Sequence, residues 1–362
     1  SNQYTSVSAG NIWNYTDTVE ADGFLWYKIN YKGEYYYVAG KNLKEGTIFA
    51  SENSSYTFKT YYKVNNSNDL VHYYRTLYNQ TAINLGVAPK SIEKNTTYYS
   101  FDGNYFYLSL EKMLDDYYNN TYDNAYNREK PYFNYYMYLP VHSLTGYTAL
   151  DFDQVIINRG YTKAPDPNVI YYTLEDGWTS APRTGVSALY GTGKYFIQSQ
   201  TEYGVNALLT FGTAINESGT GTSALALFKN NLFGHNAYDS CPISCATKYD
   251  TVLDSILAHA AKTDSSYSKP TNSYYYGSFY GNKGSGFGVN YASDPYWGEK
   301  AASFYYHLDE DGIDQKKNVV KTIQLSKNLK VYAPNKKDVL YTYNDGDIVS
   351  IHILKEENGY YK

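Results

Sequence analysis

Between Val205 and Ile215 apolar side chains recur three and four positions apart, at Val205, Leu208, Leu209, Gly212 and Ile215. That spacing predicts a helix with a buried face of small and aliphatic residues. Its end presents Asn216 and Glu217 to the run Ser218-Gly219-Thr220-Gly221, where glycines let the backbone turn sharply. A second helix starts from Thr222 or Ser223 as its cap and runs through Ala224, Leu225, Leu227 and Phe228. Val252, Leu253, Ile256, Leu257 and Ala260 form a further helical stripe, with Asp250 as the expected cap. Thr148 and Asp151 are spaced as a capping box that opens a helix through Phe152, Val155 and Ile156. Asp294 before Pro295 reads as an N-cap with proline at the first helical position.

Elsewhere the pattern is β-like. Leu25–Ile29 and Tyr35–Ala39 are short strands around the turn Lys32-Gly33-Glu34. Tyr98–Phe101 and Tyr105–Tyr107 flank Asp102-Gly103-Asn104, which predicts a hairpin. From Val319 onward, Thr322–Leu325, Leu329–Tyr332, Val339–Tyr341 and Ile348–His352 alternate with turns rich in Asn, Lys, Gly and Asp. Four parts follow: a β module over 1–45, a Tyr/Asn-rich helical and β extension over 46–185, a mainly helical core over 186–316, and a second β module over 319–362.

Composition narrows the class. At 362 residues the chain suits two or three domains. It holds 48 tyrosines, whose rings join a flat apolar face to a polar tip and so suit sugar-stacking surfaces. Codon drift in an AT-rich genome gives the same excess, and both readings stand. A net charge of −5 and the lack of any Lys/Arg cluster argue against a nucleic-acid partner. No apolar run has the length of a bilayer span, so membrane insertion is not expected. No leader segment is legible, and the chain reads as a piece of a larger secreted protein. Cys241 and Cys245 flank Pro242-Ile243-Ser244, and an oxidising location favours a local disulfide over two thiols. The six histidines show no ligand spacing, so neither a metal nor another cofactor is expected. His235 reads as incidental. Asp309-Glu310-Asp311-Gly312 opens like a calcium loop but lacks the distal glutamate, which leaves a solvated acidic turn.

Glu217 is the strongest candidate for chemistry. A lone acid seated on apolar helix packing beside a flexible turn has the makings of a general acid with a raised pKa. Around it lie Asn216-Glu217-Ser218-Gly219, Gly221-Thr222-Ser223, Asn230-Asn231-Leu232-Phe233-Gly234, Ala237-Tyr238-Asp239-Ser240 and Pro242. Further on come Gly281-Asn282-Lys283-Gly284-Ser285-Gly286 and Val289 through Lys300. In this order the blocks resemble the glycoside hydrolase family 73 N-acetylglucosaminidases, which cut bacterial peptidoglycan.

The resemblance implies an α+β chain with a mainly α catalytic core, a lysozyme-like two-lobed domain, and small SH3-type β-barrel segments at the ends. The run Tyr132–Pro140 matches the helical extension of longer members. Glu217 matches the family's general acid, Asp239 is the candidate second carboxylate, and Tyr291 matches a tyrosine that orients the substrate's acetamido group. Asn231, Phe233, Tyr238, Tyr296 and Trp297 are expected to bind substrate or shape the groove. Members with a longer β-hairpin carry a catalytic glutamate there, whereas this chain has no Glu between Glu217 and Glu299. Substrate assistance, in which the N-acetyl carbonyl attacks its own anomeric carbon, removes the need for it. The implied protein is a secreted, wall-associated monomer that acts on peptidoglycan glycan strands on the reducing side of N-acetylglucosamine. Two alternatives are a muramidase or lytic transglycosylase, and a non-catalytic wall-binding module.

Overall fold

The computed structural model describes residues 15–21, 23–31, 34–39, 60–75, 80–171, 184–238, 241–291 and 294–362. It is a mixed helical and sheet structure, with a helical core flanked by small antiparallel sheets.

The core is organised around α5 (Ala207–Ser218), in which every residue from Ala207 to Ile215 is buried. A helix buried on all sides must be surrounded. It packs against α4 (Gly193–Tyr203), α7 (Val252–Lys262) and α8 (Trp297–Leu308), while α3 (Ala149–Asn158) packs on α4. Phe152, Phe196 and Phe211 fill the junction of α3, α4 and α5, with Phe152 and Phe211 stacked at 4.8 Å. The Thr148–Asp151 capping box opens α3 as the spacing predicts. Ser223 caps α6 (Ala224–Lys229). Two expected caps move. Thr251, boxed with Asp254, caps α7 in place of Asp250. Helix α8 begins at Trp297 with Tyr296 as its cap residue, so Pro295 lies ahead of the helix. Asp294 instead accepts from the Tyr296 amide and pairs with Lys300.

The extension is built on a three-stranded antiparallel sheet of β4 (Tyr61–Val64), β5 (Asp69–Arg75) and β6 (Gln80–Val87). The predicted hairpin after it reduces to one bridge, Tyr99 with Tyr107, because Asp102 draws the intervening loop inward. The Asp102 carboxylate accepts from the amides of Asn104 and Tyr105. Helices α1 (Leu110–Asn119) and α2 (Tyr135–Tyr138) complete this part. Helix α8 joins it to the core, packing on α5 with one side and on α2 and β6 with others.

At the ends, β1 (Tyr15–Ala21), β2 (Phe24–Tyr31) and β3 (Glu34–Ala39) form an antiparallel meander. The predicted C-terminal strands all form, as β7 (Val320–Gln324), β8 (Leu329–Tyr332), β9 (Val339–Tyr343) and β10 (Ile348–His352). They pair as β7 with β10 and β8 with β9, beside a small hairpin of β11 (Glu356–Glu357) and β12 (Tyr360–Tyr361). Among the described residues no sheet closes into a barrel. The C-terminal sheets are tied to the body by Ser350 Oγ donating to the Tyr138 carbonyl and Tyr105 donating to Gln324. The short helix α9 (Ile313–Lys317) carries the chain to them. The acidic turn before α9 departs from expectation, since Asp309 is buried rather than solvated. Its carboxylate accepts from Tyr136, Tyr147 and the amides of Asp314 and Gln315, which supplies the partners a buried charge requires.

One glycine sets how closely α8 approaches the core. A β-carbon on Gly298 would lie 1.8 Å from the Gly281 carbonyl oxygen, so only hydrogen fits. Gly298→Ala is therefore expected to destabilise the protein by at least ~2 kcal/mol, because overpacking against backbone cannot relax by rotamer change. Thermal unfolding checks it, and an unchanged melting temperature would show that α8 does not depend on this approach.

Candidate active site

Glu217 lies in the last turn of α5, which ends at Gly219 in the left-handed region. Gly221 follows against the chain at 187–189, where a β-carbon would meet Ser187 Oγ at 2.5 Å. The backbone thus reverses in five residues and leaves Glu217 half-buried. Burial pushes its pKa up from the ordinary carboxylate value, and hydrogen bonds from Trp297 and Asn216 oppose this in part. The free carbonyls at a helix C-terminus act in the same direction as burial, because they disfavour negative charge.

Both of those hydrogen bonds go to one oxygen. Trp297 Nε1 donates to Glu217 Oε1 at 2.8 Å, and Asn216 Nδ2 donates to the same atom at 3.2 Å. An indole N–H can only donate, so Oε1 must accept, which favours Oε2 as the oxygen that carries a proton when the acid is protonated. Among the described residues no hydrogen bond reaches Oε2. A half-buried carboxyl with one oxygen occupied and the other free to give up a proton is arranged for general acid catalysis.

An aromatic wall stands behind the acid. The Tyr291 and Trp297 rings are 4.4 Å apart, and Tyr280 meets Trp297 edge-on at 5.3 Å. Tyr280 donates to the Leu209 carbonyl and bonds Thr213, which ties the wall to α5. The Tyr291 ring is half-buried, but its hydroxyl oxygen is buried without a partner among the described residues. Tyr291 also lines a small, partly open pocket with Thr210, Thr213, His259 and Thr263. Burial and the nearby Glu217 both raise the pKa of Tyr291.

The other expected site residues are placed as follows. Asn231 is buried, its amide nitrogen donating to the carbonyls of His235 and Thr247 while its oxygen accepts from the amides of Phe233 and His235. It closes the 231–247 loop. Phe233 is also buried and stacks flat on His259 at 3.8 Å. Tyr238 is exposed, and Asp239 lies outside the described residues. Tyr296 packs against Tyr74 and His72 of the extension, whereas the adjacent Trp297 reaches Glu217. The disulfide between Cys241 and Cys245 is present. Lys229 from α6 holds its loop by donating to the carbonyls of Ser244 and Ala246.

Two features are not legible from local sequence. His235 is not incidental: it bonds the Tyr249 hydroxyl and meets His259 at 3.3 Å, with the two rings stacked. Burial drops its pKa to about 4 and lowers that of His259, so both are neutral at neutral pH. The second feature is Glu299, buried on α8 against Tyr62 and His72. Residues so far apart in the chain leave no local signal. No group of three or more His, Cys, Asp or Glu that could hold a metal occurs among the described residues. No helix among them is long and apolar enough to cross a membrane.

Comparison with known proteins places these residues. Residues 193–310 match the glucosaminidase family model, described as mannosyl-glycoprotein endo-beta-N-acetylglucosaminidase. A Streptococcus pneumoniae serotype 4 protein, provisionally named as an endo-beta-N-acetylglucosaminidase, is 39% identical over 124 residues. That alignment covers 34% of this chain and 18% of the relative. A counterpart from S. pneumoniae strain R6 matches at the same identity over 17% of its own length. The chain thus spans under a fifth of these curated relatives. A catalytic mutant of Staphylococcus aureus autolysin E in complex with the disaccharide NAG-NAM aligns with 48% of this chain and 72% of its own, at 17% identity and a TM-score of 0.33. The matched segment runs from α4 to the end of α8 and contains Glu217, Tyr291 and Trp297. Residues 193–310 are therefore a domain of the glucosaminidase family of glycoside hydrolases.

Proposed function

We propose that this chain is a secreted, wall-associated peptidoglycan hydrolase that cleaves the β-1,4 bond on the reducing side of N-acetylglucosamine, with Glu217 as general acid. The observation that carries this reading is the state of Glu217 within the family-matched segment: half-buried, with its pKa raised and Oε1 held by a donor-only indole. On this account the core is lysozyme-like and the glycan strand lies across the face where Oε2 opens. Glu217 gives its Oε2 proton to the glycosidic oxygen as the bond to the anomeric carbon breaks. The nucleophile is the N-acetyl carbonyl oxygen of the cleaved sugar, oriented by Tyr291. Asp239 has a supporting electrostatic role, Tyr238 lines the groove and Trp297 backs it, while Tyr296 supports Trp297 from the sheet side. The end modules, 1–45 and 319–362, are SH3-type wall-binding segments of a monomer.

Glu217→Gln keeps the acceptor for Trp297 but removes the proton. It is expected to lower wall hydrolysis at least ~100-fold, the scale of a lost general acid. A buried carboxyl with a raised pKa stabilises the fold when protonated and ceases to as pH rises through that pKa, so the neutral amide should melt no lower than the parent at neutral pH. The acid must be protonated to act, so parent activity falls as pH rises through the same pKa. A folded variant with more than about a tenth of parent activity would remove Glu217 from the role.

The identity of the nucleophile has its own readout. Substrate assistance predicts retention of anomeric configuration by NMR, a strong effect of Tyr291→Phe, and a milder one of Asp239→Asn than of Glu217→Gln. Inversion, with Asp239→Asn as inactive as Glu217→Gln, would assign Asp239 as the base for water instead.

A further inference from the structure

Helix α8 carries two buried groups in its first turn that face opposite partners. Trp297 reaches across to Glu217 on α5. Glu299, two positions on and about 200° around the helix axis, is buried toward the β4–β6 sheet. There Tyr62 of β4 donates to Glu299 Oε1 at 2.7 Å, and His72 Nδ1 bonds Glu299 Oε2. Tyr62 and His72 are themselves stacked at 4.0 Å. The fit around the carboxylate is close, since a β-carbon on Gly103 would stand 3.1 Å from Oε1. His72 Nε2 is buried without a partner among the described residues, so the ring is placed for its Glu299 contact at the expense of its own satisfaction.

We infer that Glu299, held by Tyr62 and His72, is a positioning residue for the general acid: the N-terminal sheet fixes the first turn of α8, and that turn fixes the Trp297 indole on Glu217. The inference rests on the reading of Glu217 as the acid. A buried carboxylate must keep its partners or leave the interior, so this contact tolerates little drift. A hydrogen bond across two helices tolerates little drift either. The two demands meet in one rigid turn. Tyr296, between Tyr74 and His72, adds a packing contact on the sheet side. Among the described residues the hydrogen bonds to the Glu217 carboxyl come from Trp297 and Asn216 and none from the sheet, so the sheet's influence passes through α8. The titratable groups facing Glu217 are Asp294, Tyr280 and Tyr291, and Asp294 is paired with Lys300. None of these belongs to the sheet. Lys300, the partner of Asp294, lies over the Tyr74 ring of β5. Both it and Trp297 stand in the first turn of α8, so the sheet reaches Glu217 through that turn.

The interface supplies an internal control. At the far end of α8, Tyr306 donates to Asp69 of β5 at 3.3 Å, in the same sheet contact but two turns from the acid. Tyr62→Phe, Glu299→Gln and Tyr306→Phe are made in the full chain. Each is measured for melting temperature and for kcat and KM on soluble glycan fragments across pH. Tyr62→Phe retains the buried ring and should fold even where Glu299→Gln does not. For the two first-turn variants kcat is expected to fall between about 5- and 100-fold, as for a misplaced catalytic group, with KM within about twofold. The alkaline limb of the kcat profile moves upward, because a loosened indole bond no longer favours the Glu217 carboxylate. Tyr306→Phe lowers the melting temperature and leaves kcat and the limb in place. A folded Tyr62→Phe whose profile coincides with that of Tyr306→Phe overturns the inference and leaves the acid assignment intact. Full activity in Glu217→Gln strikes at the assignment itself.

Discussion

The hydrogen bond from the Trp297 indole to Glu217 is the interaction on which the site depends. It spans the packing of α8 on α5, and it occupies one carboxyl oxygen while the other stays open. Everything beneath it serves to make those two helices meet closely. Gly298 permits the approach to Gly281, Tyr280 ties the wall to α5, and α5 has no exposed face on which to shift. The resulting acid sits under opposed influences: burial raises its pKa and two donors temper the rise. In the proposed role of general acid, a raised pKa favours the protonated form that donates, and the donors on Oε1 stabilise the carboxylate left behind.

Local pattern in the amino-acid sequence makes much of this legible. The 3.6-residue rhythm of Val205–Ile215 predicts α5, the Thr148–Asp151 spacing predicts the cap of α3, and the alternation after Val319 predicts β7 to β10. The ordered blocks around Glu217 point to the family that 193–310 matches. The cap of α7 shifts for a plain local reason: Thr251 and Asp250 are both good capping residues, but Thr251 stands three positions before Asp254 and forms a capping box with it. Asp309 reads as solvated because acidic turns usually are. Its burial is visible only when Tyr136 and Tyr147 arrive from more than 160 residues upstream. The same holds for Glu299 and its partners, separated by 227 and 237 positions. Barrel closure does not follow from strand alternation, which specifies pairing but not how hairpins join into one sheet.

The tyrosine excess gains a physical account from the interior. Tyr62, Tyr98, Tyr107, Tyr138, Tyr280 and Tyr305 are all buried. The hydroxyls of Tyr62, Tyr138, Tyr280 and Tyr305 donate to buried acceptors, and that of Tyr98 accepts from the Glu93 amide. The Tyr107 hydroxyl is buried without a partner among the described residues, and burial, then the charges of Asp116 and Asp102, raises its pKa. The other five rings act as core side chains whose polar tips satisfy buried polar groups. That use lets Asp309, Asp314 and Glu299 be interior residues.

The central claim is that the site cuts after N-acetylglucosamine. Its most direct test is to digest purified cell walls with the protein, reduce the new ends with borohydride, and identify the reduced sugars by mass spectrometry. The account predicts reduced N-acetylglucosamine at the new termini. Reduced muramic acid, or termini carrying 1,6-anhydromuramic acid that borohydride leaves untouched, would contradict it.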